Sequence, residues 1–446
     1  MINLLYNNSY FIILIPIGLL VTYYLLKYPE ISLAIFINAY VIKGGINIGY
    51  FNLTAILLII TVTGFIFKKF SKKEGINFKL QLSDKYLIFF VAVLAIGCIY
   101  SLNRNEGIIK TLRFIVIVFI PYLLARIFIV KEDQIKLFLR SISIITLVIS
   151  FLLITISIFG KYTGGRMGFL KANPIPVSVL LIVGLVIFTI GITQNIFNEW
   201  KYGKLFCAIA IIPLLYSIFL VSSRGPLISA IVGLIFCVLI LFKSKIKNRN
   251  STIIVIISLI LILVLISCYD IIYSNLFISK VIPDVKRVIP NVKYFSLMNA
   301  KNMSVNIRLK LYSSAWQLIK QKPLFGLGTG GFQTGGRQYP HNIFLEIAVE
   351  NGLLGLVIFL YFLFTVCQRG YQFLNKNIIN NYKQAKIIGL IVLVVGISLF
   401  IERQFSFRLD MHKDLFVFFG LIINLPSLNH SYKMKDISGE LINDKI

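Results

Sequence analysis

Of the three histidines in the 446-residue sequence, His341 has neighbours suited to chemistry, because it follows the run GLGTGGFQTGGRQYP (326–340). A neutral imidazole accepts a proton from a hydroxyl near pH 7, and glycines let backbone approach a ligand closely. Pro340 stands where a helix can begin, and HNIFLEIAVENGLLGLVIFLYFLF (341–364) runs on without a break. His341 is therefore expected in the first turn of a membrane helix, where the helix dipole and surrounding cations disfavour imidazolium. Tyr339 and Asn342 flank the ring, and Gly328 and Gly330 lie in the turn before it; all four are expected to contact substrate. The alternative is structural: a histidine at a helix start, and a flexible turn where a helix predicted over 306–321 ends before Pro323. His412 and His430 lack comparable surroundings.

Gly326, Gly328 and Gly331 also satisfy the spacing of a dinucleotide-binding loop. They follow KQKPLF (320–325) rather than a strand, and no βαβ unit surrounds them, so the spacing is not read as a nucleotide site.

Two short segments add arginines. VSSRGPLIS (221–229) carries Arg224, and GKYTGGRMGFLKANPIPVS (160–178) carries Arg166 among glycines. Each arginine alone is equally a residue that snorkels to a membrane interface. Together with His341 they suit a pyrophosphate, because the guanidinium fork matches phosphate oxygens and stays charged where hydration is poor.

The elements that must position these residues follow from composition. Hydrophobic residues make up 58% of the chain and charged residues 14%, and apolar stretches recur from Tyr10 to Leu425, which points to a polytopic membrane protein. The fold expected is all-α, with about 12 transmembrane helices. They fall near 10–26, 51–67, 86–102, 114–130, 137–160, 176–193, 205–221, 227–242, 252–272, 353–366, 387–402 and 415–425, with a short apolar piece at 31–42. The expected organisation is membrane helices over 1–272, a large basic external loop over 273–342, further membrane helices over 343–425 and a cytoplasmic tail over 426–446.

Lysine and arginine in short loops set orientation. The most basic short loop, KKFSKKEGINFKLQLSDK (68–85), is placed in the cytoplasm. Counting spans from it places 161–175, 222–226, 273–342 and 403–414 outside, so His341, Arg166 and Arg224 share one face. The five cysteines have no metal-binding or disulfide spacing. Glu346 and Glu350, four apart on one helix face, read as orienting groups rather than a catalytic pair.

RLKLYSSAWQLIKQKPLFGLGTGGF (308–332), followed by YPHNIFLEIAVENGLLG (339–355), resembles the hallmark region of the O-antigen ligase and polymerase superfamily. The resemblance implies a helical fold like that of lipid-dependent (GT-C-like) membrane glycosyltransferases. It also implies glycan transfer from polyprenyl pyrophosphate on the external face of the bacterial cytoplasmic membrane, without nucleotide sugar, metal or cofactor. By the same resemblance, His341 activates the acceptor hydroxyl, Arg224 and Arg166 hold the pyrophosphate, and Arg308 and Arg337 are further phosphate or sugar contacts. Implied partners are the lipid-linked oligosaccharide donor, a glycan acceptor, membrane lipids, and a flippase and chain-length regulator of the same pathway; no nucleic acid is expected. The leading expectation is a polymerase of lipid-linked repeat units. A ligase that hands finished glycan to a lipid or protein, a transporter of lipid-linked glycans, and a noncatalytic assembly scaffold remain as alternatives.

Overall fold

In lipid, backbone polar groups must pair within their own segment, so long apolar runs become helices. The computed structural model describes residues 16–43, 53–71, 79–160, 167–169, 172–193, 196–197, 199–221, 224–243, 292–336, 338–375 and 383–443, and among them every regular element is helical. Helices α1 (Pro16–Lys27) and α2 (Pro29–Ile37) meet at 106°. Pro29 opens α2 at a position that needs no N–H donor, and it bars its predecessor from helical geometry. Then come α3 (Ala39–Lys43), α4 (Leu53–Ser71), α5 (Leu82–Gly97), α6 (Arg104–Phe128), α7 (Glu132–Phe159), α8 (Pro174–Thr193), α9 (Gly203–Val221), α10 (Arg224–Lys243), α11 (Val292–Gln321), α12 (Ile343–Asn375), α13 (Lys383–Glu402) and α14 (Lys413–Asn443).

The chain is a multi-pass membrane protein. Seven described helices, α4, α6, α7, α8, α9, α12 and α13, are long and apolar enough to cross a membrane, or eight if α1 and α2 form one bent span. The expected crossings at 86–102, 227–242 and 415–425 correspond to α5, α10 and α14, which are not among the seven, and 252–272 lies outside the described residues. The expected count of about 12 is therefore not reached among the described residues.

Two boundaries differ from the sequence reading. Spans placed at 86–102 and 114–130 leave 103–113 between them, yet α6 begins at Arg104, where the Asn103 side chain accepts the Glu106 N–H. Within α6, Phe114–Phe119 are wound as a π-helix just before Pro121, which has no N–H to give. The second is α11, Val292–Gln321, which ends where the helix expected over 306–321 ends but begins earlier, inside the segment assigned to the external loop over 273–342.

Helix α12 packs against α5 and α14, α14 against the second half of α6, and α10 against α13. Phenylalanines lock this centre: Phe114 meets Phe90 and Phe416 edge-on at 5.7 and 5.5 Å, and Phe416 stacks on Phe362 at 5.8 Å.

The glycine-rich turn completes a break in α12. Gly352 has φ of +65°, which interrupts the helical ladder and frees four backbone groups. The turn supplies all four partners. Leu327 and Gly328 N–H donate to the carbonyls of Val349 and Glu350 at 2.9 and 2.8 Å, while Leu353 and Leu354 N–H donate to Pro323 and Leu324 at 2.8 and 3.2 Å. Gly328 (φ +84°) and Gly330 (φ +76°) approach protein backbone: a Cβ would lie 2.3 Å from Ser101 Cα at the first and 2.7 Å from Gly107 N at the second. Gly328→Ala is thus expected to destabilise the protein by roughly 1–3 kcal/mol, from overpacking and a left-handed backbone together. Gly225→Ala, whose Cβ meets nothing nearer than 3.7 Å, should be tolerated. Thermal unfolding of the two variants in detergent checks the contrast.

Candidate active site

At the start of α12, Asn342 is the capping residue: its side-chain oxygen accepts the N–H groups of Phe344 and Leu345, each at 3.0 Å. His341 consequently lies just before the helix rather than in its first turn, a correction to the reading from Pro340. Its φ is +57°, and among the described residues the only other non-glycine with positive φ is Phe407, in the connection between α13 and α14. Such backbone persists where the surroundings over-determine it, and it concentrates at functional sites. The imidazole packs against Tyr339 with ring centroids 4.2 Å apart. Burial, and then the positive charge of Arg308 on α11, push it down to about 4, so the ring is neutral near pH 7. Burial also raises the Tyr339 phenol, with a further push from Glu346.

Beneath this residue lies a buried charge cluster. Lys110 of α6 donates to Glu346 at 2.5 Å and Glu350 at 2.7 Å, all three being almost completely buried. Glu346 also accepts the Leu409 N–H at 3.1 Å, and Glu350 the Gly330 N–H at 2.9 Å. The two carboxylates therefore tie together α6, the glycine turn, the start of α12 and the short 3-10 turn Leu409–Met411. Arg408 extends the network to Asp410 at 3.0 Å and to Glu106 at 2.7 Å.

Other segments converge on the same end of the bundle. Asn342 reaches the Gln404 carbonyl at 3.5 Å, and the start of α10 meets Phe405 across Gly225. Met167 N–H bonds the Leu220 carbonyl at the end of α9 at 3.2 Å. The regions 161–175, 222–226, 273–342 and 403–414 expected on one face thus have described residues near one another. A cavity of about 400 Å³ opens here, with Tyr339, Asn173 and Asp410 in its wall.

Residues 209–360 match the O-antigen ligase family. The match covers about a third of the chain, from within α9 to the middle of α12. It supports the O-antigen ligase and polymerase superfamily for this protein and, broadly, a glycosyl-transfer enzyme acting on lipid-linked glycans. No curated protein matches the chain. The O-antigen ligase segment holds Arg224, Arg308, the glycine turn, His341, Glu346 and Glu350, and it stops short of the connection between α13 and α14.

Of the residues singled out from sequence, the structure brings together His341, Tyr339, Asn342 and the charge of Arg308. Arg224 is the first residue of α10, with its side chain outside the described residues, and Arg166 and Arg337 lie outside them altogether. Gly328 and Gly330 are buried in the docked turn. Sequence reasoning missed Lys110, Arg113, Arg403 and Arg408. A signal existed for the first two: Glu106, Lys110 and Arg113 recur at helical spacing ahead of an apolar run, marking a charged face on a membrane helix.

Proposed function

We propose that this protein is a membrane glycosyltransferase that joins polyprenyl-pyrophosphate-linked oligosaccharide units into a cell-surface polysaccharide. The reaction takes place on the external face of the bacterial cytoplasmic membrane. The observation that carries the reading is His341, a neutral imidazole in strained backbone beside Arg308, inside the segment that matches O-antigen ligase.

In the reaction, an acceptor hydroxyl attacks the anomeric carbon of the donor sugar as His341 takes its proton. The bond from that carbon to the pyrophosphate oxygen breaks, and polyprenyl pyrophosphate leaves with both electrons, its charge held by Arg224, Arg166, Arg308 and Arg337. A single displacement inverts the anomeric configuration. Tyr339 and Asn342 border the sugar, while Gly328 and Gly330 hold the turn that carries them. A free-enzyme value of about 4 makes His341 a weak base. The two negative charges of a seated donor offset Arg308 and raise its basicity, so the base strengthens once the donor is bound. The family description favours one second reading, a ligase that passes finished glycan to another acceptor by the same chemistry.

The sign of the pH dependence follows. Transfer needs the neutral ring, which persists in the free enzyme down to about pH 4. The kcat/KM profile is expected to stay flat from pH 7.5 to 5.5, where an unperturbed imidazole would cost about tenfold. The acid limb of kcat, which reports the complex, should lie at higher pH. Halving of kcat/KM already at pH 6.5 would show a histidine that titrates normally.

The reading is tested with purified protein, lipid-linked oligosaccharide and a measurement of released polyprenyl pyrophosphate. Release that requires acceptor supports it; no release from folded protein overturns it. In the same assay Arg224→Lys, which keeps charge and loses the fork, is expected to weaken both donor binding and transfer by about tenfold.

A further inference from the structure

The cavity beside Tyr339 has features the proposed reaction does not yet use. One wall is apolar, made by Ile37 of α2, Val41 of α3 and Val179, Leu180 and Val183 of α8. Charged side chains line the cavity as well, yet most of that charge is already engaged. Arg403 is bound by Glu402 and Asp414, Asp410 by Arg408, and Lys413 donates to the Phe36 carbonyl at 2.6 Å. Arg113 differs. Its side chain is 46% exposed and lines the cavity, its ion pair with Asp410 is stretched to 4.0 Å, and no hydrogen bond holds it among the described residues. It stands where α6 turns into its π-wound segment, a distortion common at functional sites. The exposed side chains of Tyr40 and Met411 also line the cavity.

Apolar side chains beside a guanidinium held only by a long ion pair fit an amphiphile with an anionic head. We propose that this cavity seats the lipid-side phosphate and first isoprene units of the polyprenyl-pyrophosphate donor, with Arg113 as the anchor of that phosphate. A volume of about 400 Å³ suits a headgroup and the root of a chain, and the rest of the tail leaves into the bilayer. Tyr339 joins this cavity to His341, so a phosphate seated at Arg113 directs the sugar end toward the base. This rests on the proposed function and adds to it a substrate-contacting residue from α6.

The test measures binding of radiolabelled long-chain polyprenyl pyrophosphate to the full chain in phosphatidylcholine nanodiscs. Arg113→Gln is expected to weaken binding by at least about tenfold, and Arg113→Lys to recover part of it. Val183→Phe, which narrows the apolar wall, should weaken it as well, and His341→Ala should leave it unchanged. Inorganic pyrophosphate should compete poorly because it lacks the tail, and phosphatidylglycerol in the discs should not compete. Unchanged affinity in folded Arg113→Gln, alongside lost affinity in Arg224→Gln, overturns the role of Arg113 and leaves the function standing. Equal competition by phosphatidylglycerol overturns the donor assignment and makes the cavity a general phospholipid site. If the unaltered protein binds no polyprenyl pyrophosphate, the proposed function itself falls.

Discussion

His341→Ala is expected to lower glycosyl transfer by about a hundredfold or more, the scale of lost acid-base catalysis, while donor binding survives. The backbone offers a control for strain. At φ of +57°, asparagine is tolerated better than most residues and has no basic nitrogen to take the proton. His341→Asn should therefore match the alanine variant in transfer and equal or exceed it in thermal stability. Loss of transfer in His341→Ala with recovery in His341→Asn would mean that the position needs a turn conformation and a hydrogen-bonding group, not a base. Donor binding, measured on the same preparations, separates either result from simple unfolding.

Lys110→Met is expected to destabilise the fold by about 3–5 kcal/mol, because it strands Glu346 and Glu350 as buried carboxylates without their cation. Methionine matches the lysine stem in length, so the loss falls on charge rather than volume. Adding Glu346→Gln and Glu350→Gln removes the stranded charges and should restore part of the stability, a coupling that independent sites would not show. Transfer should remain low in the restored variant, since the glycine turn, the 3-10 turn and the start of α12 lose their common tie. Apparent unfolding temperatures of the detergent-purified variants, read at one scan rate, give the comparison. An unchanged unfolding temperature in Lys110→Met would contradict the clamp.

The membrane class was legible in the sequence because length and polarity alone force helices in lipid, and His341 stood out because Tyr339, Asn342 and the glycines are its neighbours in the chain. The clamp was not legible. Lys110 meets its carboxylates across 236 and 240 residues, and local pattern carries no information about such pairing. The glycine turn shows a different limit: its spacing was plain, yet its use depends on Gly352 opening the facing helix, so glycines that looked ligand-facing serve backbone exchange. The boundary at α12 was misplaced because Pro340 and Asn342 are both start signals, and the side-chain cap of Asn342 fixed the outcome.

The most direct test incubates the purified chain with lipid-linked repeat units and resolves the products by length. The unaltered protein is expected to yield a ladder of lengthening glycans, and His341→Ala that still binds donor is expected to yield none. No product longer than the starting unit from the folded protein, with any acceptor supplied, or an undiminished ladder from His341→Ala, would contradict the proposed reaction.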